Sequence, residues 1–253
     1  MFSDLIVDFD DYSPQPDKFL DVPFVPTDDR VIDAMLGLAR LSSDDVLYDL
    51  GSGDGSIVVA AARDYGARAV GIEIDTLRIA HAMEYAGDSR VEFRVDFIEG
   101  DLFTANISEA TVVTLYLLDT VNVRLRPRLL SQLRPGTRIV SQLFDMGDWF
   151  ADEQLRFDGV KLYKWVVPAH VEGTWAWEGL DGTLYQVELQ QKYQEITGSA
   201  RRGGCSVLLE KASLSGRSLE LSVQNHETAP PTRFTLDFDD GELQSVFEGT
   251  VCQ

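Results

Sequence analysis

The residues of this chain whose types and spacing could do chemistry are a set of carboxylates and a glycine-rich turn. The turn follows the apolar residues 46–49 and contains Gly51, Gly53 and Gly55, with Asp49 immediately before it. Because glycine has no Cβ, such a turn can aim backbone N–H groups at a ligand and let the ligand approach closely. The pattern therefore predicts a corner that binds a nucleotide-like molecule.

The spacing of the glycines excludes two common phosphate-binding motifs. The third glycine comes one residue earlier than in the Gly-x-Gly-x-x-Gly of dinucleotide enzymes. No Lys-Ser or Lys-Thr pair follows the turn, so the sequence does not contain a P-loop. Carboxylates beside the turn would also repel a pyrophosphate. The expected ligand carries no phosphate.

Three carboxylates indicate which ligand this is. Asp49 can accept hydrogen bonds from a cationic amino group or from bound water. Glu73 ends a second apolar run, where a carboxylate suits the two hydroxyls of a ribose. Asp101 ends a third run and can accept a hydrogen bond from the exocyclic amine of adenine. An amino-acid head, a ribose and an adenine without phosphate make up S-adenosylmethionine.

The elements that must position these residues alternate between strand and helix. Apolar runs predict strands at residues 46–49, 69–75, 91–98, 111–117, 138–144 and 161–167. Helical patterns cover 28–40, 57–65, 76–86 and 119–133, with Gly66 and Gly87 as stops and Pro127 as a kink or a second start. This alternation predicts an α/β fold, a doubly wound and mainly parallel sheet covered on both faces.

The two ends of the chain differ from this core. The pattern of residues 1–26 predicts an acidic arm with aromatic anchors, followed by a lid loop that prolines stiffen. From Gly173 onward helical periodicity disappears, and turn signals at short intervals separate candidate strands. We expect a binding domain over 27–170 and an antiparallel β domain over 171–253, built as a meander, a sandwich or an open barrel.

Composition and charge limit the possible partners. The chain is 44% hydrophobic and 25% charged, as soluble globular proteins are, and its net charge is −20. That charge repels nucleic acid and anionic membranes and attracts a basic protein or a cationic amine, although it also serves solubility alone. The sequence shows no apolar run long enough to span a bilayer and no signal-peptide pattern, so we expect a cytoplasmic protein. Its few cysteines and histidines form no metal-ligand pattern.

The motifs resemble those of the class I, seven-strand methyltransferases that use S-adenosylmethionine. Asp-Leu-Gly-Ser-Gly-Asp-Gly resembles their first motif, Gly-Ile-Glu-Ile-Asp the second and Glu-Gly-Asp-Leu-Phe the third, in the same order over residues 20–168. The resemblance implies that the cofactor also contacts Leu102 in the third motif. It further implies that Phe24 and Thr27 border the methionine end.

A narrower resemblance is to the lysine methyltransferases that modify the ATP synthase c-subunit and the adenine nucleotide translocase. It rests on Val-Pro-Phe-Val-Pro at 22–26, on the first motif with its Ser-Ile-Val-Val-Ala-Ala-Ala extension, and on residues 144–149. Ser56 stands where that pattern usually has Arg. Those enzymes carry a membrane-targeting segment and lack a β region like 171–253, so their substrate does not transfer directly.

Two residues after the fourth strand are candidates for catalysis. Methyl transfer from a sulfonium is an in-line displacement, which depends on positioning and desolvation. Tyr116 could orient an amine, or it could be an ordinary sheet residue. Asp119 could stabilise the amine's charge or accept a proton, or it could be a helix N-cap. Asp145 and Trp149 could border the same cleft, although a buried tryptophan at the domain boundary is an equal alternative.

Several functions remain open at this point. The leading hypothesis is a methyltransferase acting on an amine such as a protein lysine, and a small-molecule acceptor is the alternative. A second class is a non-catalytic S-adenosylmethionine-binding module whose β domain binds a partner. A third is a small barrel at 171–253 that binds an apolar ligand. We expect Trp165, Trp175 and Trp177 to be core residues of strands rather than an aromatic cage.

Overall fold

The computed structural model describes residues 25–224 and 230–249 and folds them into two seven-stranded sheets. Phe24 and nearly all of the predicted acidic arm and lid loop lie outside the described residues. The predicted fold class, a mainly parallel doubly wound sheet followed by an antiparallel all-β domain, is confirmed.

The first sheet has the strand order β3-β2-β1-β4-β5-β7-β6. Strands β1 to β5 are parallel, and β7 and β6 complete one edge in antiparallel fashion. The strands are β1 Val46–Leu50, β2 Arg68–Glu73, β3 Val95–Glu99, β4 Val112–Leu115, β5 Arg138–Gln142, β6 Glu153–Phe157 and β7 Val160–Val166. The helices are α1 Asp29–Ala39, α2 Ser56–Tyr65, α3 Thr76–Asp88 and α4 Asp119–Gln132.

Each face of this sheet buries one apolar layer. Helices α1, α2 and α3 pack on the face that we call the α1 face, and α4 packs on the opposite, α4 face. Side chains of each strand alternate between the two layers, as the pleat requires. The carboxyl ends of β1, β2, β4 and β5 therefore meet at one edge, where open α/β sheets bind ligands.

Local signals explain most boundaries of these helices. Asp28 caps α1, because its Oδ1 accepts the backbone N–H of Arg30 at 2.9 Å. Gly66 ends α2 with a φ of 70°, the left-handed conformation that glycine adopts without strain. Pro127 lies inside α4 without splitting it. The prediction of Gly87 as a stop was wrong, since α3 continues to Asp88.

Two strand predictions need correction. Strand β3 begins at Val95 rather than at residue 91, because the chain turns first, with the N–H of Arg94 bonded to Val91 O at 2.8 Å. The edge strand β6 was not predicted. Its side chains are mostly exposed, so its sequence carries little of the apolar signal that marks a buried strand.

The second sheet is an antiparallel meander that curls into a barrel-like form. Its strands lie in sequence order, β8 Gly173–Glu178, β9 Leu184–Lys192, β10 Glu195–Arg202, β11 Cys205–Ser215, β12 Ser218–Gln224, β13 Thr232–Asp239 and β14 Glu242–Gly249. Trp175 meets Phe238, and Trp177 meets Phe234, each pair with ring centroids 5.0 Å apart. Strand β8 thus packs against β13 through these aromatic rings.

The turn between β9 and β10 joins the second sheet to the first. Gln194 Oε1 accepts the indole N–H of Trp149 at 2.8 Å, and Tyr193 stacks on the same indole with centroids 5.8 Å apart. Trp149 has 0% exposure and contacts Trp165, which pairs with Ile139 near the start of β5. Trp149 is therefore a core residue of the domain junction and does not border the cleft.

Candidate functional site

The glycine turn after β1 is held in its conformation by both backbone and packing. All three of its glycines have φ values in the left-handed region, between 53° and 83°. The N–H of Gly51 bonds to Ile72 O at 2.8 Å. A Cβ on Gly55 would lie 2.8 Å from Ala82 Cβ and from Phe97 Cζ. Gly55 is thus required by packing as well as by its left-handed backbone.

Glu73 fastens this turn to the end of β2. One carboxylate oxygen, Oε2, accepts the backbone N–H of Gly53 at 2.8 Å. The other, Oε1, accepts the N–H groups of Ile74 and Asp75 at 2.8 and 3.0 Å. A carboxylate has about four acceptor positions, so this buried side chain both shapes the turn and keeps acceptor capacity for a hydroxyl.

Asp49 lies at the end of β1 with only 3% of its surface exposed. Its Oδ1 accepts the hydroxyl of Thr114 on β4 at 2.7 Å. Burial raises the pKa of Asp49 to about 7, and the carboxylates of Asp54 and Glu73 also raise this pKa, while the Thr114 bond opposes them. The charge of Asp49 therefore changes near neutral pH, and a cationic ligand would favour its ionised form.

The loop after β3 brings Asp101 and Leu102 towards the turn. Asp101 is exposed and accepts the N–H of Phe103 at 2.8 Å through Oδ1. Leu102 Cδ2 lies 4.0 Å from the position of a Cβ on Gly51. From α4, Arg128 donates to Phe103 O and Ala105 O, so the helix fixes the path of this loop.

Tyr116 directly follows β4 on the opposite side of the turn from Glu73. Its neighbour Leu117 has Cδ2 3.1 Å from the position of a Cβ on Gly51, so the chain here lies against the turn. Tyr116 is half-buried, and desolvation raises the pKa of its phenol. The hydroxyl is consequently protonated at neutral pH and can both donate and accept a hydrogen bond.

Asp119 is less closely tied to this edge. It is the exposed first residue of α4, and its Oδ1 accepts the N–H of Thr120 at 3.0 Å. The N-cap of the helix is Leu118, so the prediction that Asp119 is the cap is wrong by one residue. Helix α4 covers the α4 face, whereas Asp49 and Thr114 face the α1 side.

Thr27 lies just before α1, at the carboxyl edge of the sheet. Arg138, at the start of β5, donates to Ala39 O at the C-terminal end of α1 at 3.0 Å. The N-terminal end of α1, with Thr27, must therefore lie at the other end of the strands. Thr27 therefore lies on the α1 face, the face on which Asp49 also lies.

Three functional candidates were missed from sequence, namely Thr114, Asn122 and Gln142. Asn122 is fully buried, and its Nδ2 donates to the carbonyl oxygens of Phe144 and Asp145 at 3.2 and 3.3 Å. It thereby holds the chain that leaves β5. A polar residue inside or at the end of an otherwise apolar strand is the signal that could have identified Thr114 and Gln142.

The donor set at this edge fits S-adenosylmethionine. The three glycines of the turn have left-handed φ values that favour residues without a Cβ, and the acids suit an amine and hydroxyls rather than phosphates. Ser52 adds a buried hydroxyl that has no hydrogen-bond partner within the described ranges. No metal-binding group of His, Cys, Asp or Glu occurs among the residues described, and none of the helices described is long and apolar enough to cross a membrane.

Comparison with known proteins finds methyltransferases similar to this chain. The family model for the ANTKMT methyltransferase domain matches residues 49–153. A protein-lysine N-methyltransferase of Saccharolobus islandicus is 41% identical over 154 residues, which are 59% of this chain and 96% of that protein. An adenine nucleotide translocase lysine N-methyltransferase of Mus musculus is 30% identical over 130 residues, 51% of this chain and 56% of the relative.

A solved structure shows the same relationship. The crystal structure described as an RNA methyltransferase from Salinibacter ruber, in complex with S-adenosyl-L-homocysteine, has a TM-score of 0.57 and 54% sequence identity. The match covers 58% of this chain and 96% of that one. The sequence-based resemblance and the cofactor prediction are confirmed. The chain, whose residues 49–153 match the ANTKMT methyltransferase domain, belongs to the same family as the Saccharolobus islandicus methyltransferase and is an S-adenosylmethionine-dependent methyltransferase with a class I fold.

Proposed function

We propose that this protein transfers the methyl group to the ε-amine of protein lysines. The observation that carries the proposal is the position of Tyr116, a half-buried residue at the carboxyl end of β4 whose neighbour Leu117 lies against the glycine turn. The relative with 41% identity, matched over 96% of its length, is a protein-lysine N-methyltransferase. It supports the amine as acceptor.

The reaction requires a neutral amine whose lone pair points at the methyl carbon. When bound, S-adenosylmethionine supplies an electrophilic methyl group on a sulfonium. Tyr116 holds the nitrogen through its hydroxyl and limits the access of water. Asp119 lies at the outer rim, where its negative charge attracts the lysine ammonium and can receive the proton that the amine releases.

The cofactor roles form part of the proposal. Asp49 takes the cationic amino-acid head, Glu73 the ribose and Asp101 the adenine amine. The backbone of the glycine turn and the side chain of Leu102 line the same site. Thr27 and Phe24 border the methionine end, and Phe24 lies outside the described residues.

The charge of the chain favours a basic acceptor over a nucleic acid. With 42 acidic and 22 basic residues, the protein repels a phosphate backbone, although one similar structure is described as an RNA methyltransferase. A basic protein segment is attracted instead. A small cationic amine is the second candidate, since the same charge attracts it equally.

The proposal assigns a separate role to each of the two sheets. Residues 27–170 bind the cofactor and carry out the transfer, and residues 171–253 contribute to recognition of the protein partner. The match to the Saccharolobus islandicus relative leaves about two fifths of this chain uncovered, although it spans 96% of that relative. The uncovered part of this chain supports an additional role, recognition of the partner, that the shorter relative does not need.

One experiment tests the acceptor class. The protein is incubated with S-adenosylmethionine labelled in the methyl group and a cell lysate, and the lysate is then separated into protein, RNA and small molecules. We expect label in the protein fraction, released as methyl-lysine on acid hydrolysis, and a loss of label of at least tenfold in Tyr116→Phe. Label confined to RNA or small molecules would contradict the proposal.

A further inference from the structure

A second polar side chain near Tyr116, that of Gln142, has an oxygen that forms no hydrogen bond with the residues that the structure describes. Gln142 is the last residue of β5 and has only 5% exposure. Its side-chain oxygen Oε1 is buried and has no hydrogen-bond partner in the ranges 25–224 and 230–249. A buried acceptor without a donor destabilises a protein, and a donor on a bound ligand would satisfy this oxygen.

Strand register brings Gln142 and Tyr116 to the same end of neighbouring strands. Leu115, the last residue of β4, pairs with Ser141 on β5, so Tyr116 and Gln142 each come one residue after this last registered pair. Leu115 belongs to the apolar layer of the α4 face, and Ser141 contacts Asn122 of α4. Because side chains alternate between faces, Tyr116 and Gln142 belong to the α1 face.

The α1 face is also the side on which the cofactor-binding acid lies. Asp49 and Thr114 are bonded to each other on this face, one residue before the edge. Val140, two residues before Gln142, packs in the apolar layer beneath α1. The amide of Gln142 therefore sits at the same edge as the tyrosine hydroxyl and above the Asp49–Thr114 pair.

Asn122 offers a contrast, because its Oδ1 is also buried without a partner in the described part of the chain. Its Nδ2, however, donates to Ser141 Oγ, Phe144 O and Asp145 O, so the side chain already has a structural role on the α4 face. No such bonds to other described residues are seen for Gln142 Oε1. The face and the unused oxygen together single out Gln142.

We propose that Gln142 Oε1 accepts a hydrogen bond from an N–H of the methyl acceptor and selects amines that still carry one. The inference rests on the proposed amine acceptor. The lone pair of the neutral amine forms the new N–C bond as the C–S bond of the sulfonium breaks, and the electron pair of that bond stays on sulfur. The methylated nitrogen then releases a proton to water.

This assignment predicts a dependence on the methylation state of the substrate. A neutral unmethylated or monomethylated lysine has an N–H for Gln142, whereas a neutral dimethyl-lysine has none. Gln142 thus accelerates the first and second transfers and leaves the third without assistance. A residue that only supports the fold would affect all three transfers alike.

The test uses three short peptides of the sequence acetyl-Gly-Lys-Gly-amide, with no, one or two methyl groups on the lysine. For Gln142→Met we expect kcat/KM to fall about tenfold to a hundredfold on the first two peptides and to change less than twofold on the third. Gln142→Glu, which restores an acceptor oxygen, should recover part of the loss. Gln154→Met, an exposed change on β6, is the matched control.

A second measurement separates this role from a structural one. Removing a buried acceptor that lacks a donor should leave the melting temperature of Gln142→Met unchanged or raised, although transfer is slower. An equal loss on all three peptides, or a lowered melting temperature with proportional loss of activity, overturns the assignment. Absence of transfer to any lysine by the wild-type protein, in peptides or in lysate protein, overturns the amine proposal itself and this inference with it.

Discussion

The hydroxyl of Thr114 donates to Asp49 Oδ1 over 2.7 Å, joining the ends of the two central strands inside the cofactor edge. The bond uses one carboxylate oxygen of Asp49, a side chain that is almost completely buried. The pair links the protonation of one buried acid to the binding of a cationic ligand.

Cofactor affinity should therefore depend on pH through Asp49. The pKa of Asp49 is raised from 3.8 to about 7, so the carboxyl is largely protonated below that pH. A cation binds the ionised form better, and affinity for S-adenosylmethionine should fall by up to about tenfold per pH unit below 7. Calorimetry between pH 5.5 and 8.5 measures this.

Controls for that titration are available in the chain. Asp49→Asn should bind more weakly at pH 8 and lose most of the dependence on pH. Asp88→Asn, an exposed change at the end of α3, should behave as the wild type. A flat wild-type profile would refute the role of Asp49.

The same group should affect the stability of the protein without cofactor. The folded carboxyl binds a proton more strongly than the unfolded one, so its contribution to stability is lost as pH rises from about 4 towards 7. Asp49→Asn should therefore raise the free energy of unfolding by about 1–3 kcal/mol at pH 8 and by less at pH 5. Urea denaturation at both values tests the sign, and an equal gain at both would contradict it.

Glu73 should control cofactor affinity through the turn. Its Oε2 accepts the N–H of Gly53, so Glu73→Ala removes both the support of the turn and the proposed acceptor for the ribose. We expect the Kd for S-adenosyl-L-homocysteine to rise at least tenfold. Glu92→Ala, an exposed change before β3, should leave the Kd within twofold of the wild type.

Gly55 tests the packing of the turn. A Cβ would contact Ala82 and Phe97 at 2.8 Å, and the φ of 79° is strained for alanine. Gly55→Ala should lower the free energy of unfolding by about 1–3 kcal/mol. A Cβ added at Gly87, in the same domain, would meet no atom within 4 Å. Gly87→Ala should therefore raise the free energy of unfolding by about 0.5–1 kcal/mol. Denaturation curves of both variants compare the two effects directly.

Gln194 should couple the two sheets. Its amide bonds both to the indole of Trp149 and to Phe150 O, at 2.8 and 2.7 Å. Gln194→Ala leaves the buried indole N–H without an acceptor, which should destabilise the protein by about 1–3 kcal/mol and shift the fluorescence of Trp149. Gln190→Ala, exposed on β9, is the control. If Gln194→Ala has the same emission spectrum and the same free energy of unfolding as the wild type, the coupling is contradicted.

Much of the first domain could be predicted from local signals alone. The apolar runs, the glycine turn and the caps at Asp28 and Gly66 are short-range features, so strands, helices and the cofactor class followed from neighbouring residues. The predictions failed where the local signal was weak. The exposed strand β6 is mostly polar, and Gly87 is tolerated within α3 because the helix is stabilised by tertiary packing.

The sequence by itself determined the methyltransferase fold, the cofactor and the acids proposed to bind it, because each is encoded by residue type and spacing within one strand and its turn. Only the tertiary structure decided that Trp149 is buried at the domain junction and that Thr114 bonds Asp49. It also decided that Gln142 shares a face with Tyr116. These relationships depend on strand register and on contacts between distant segments, which no local pattern encodes.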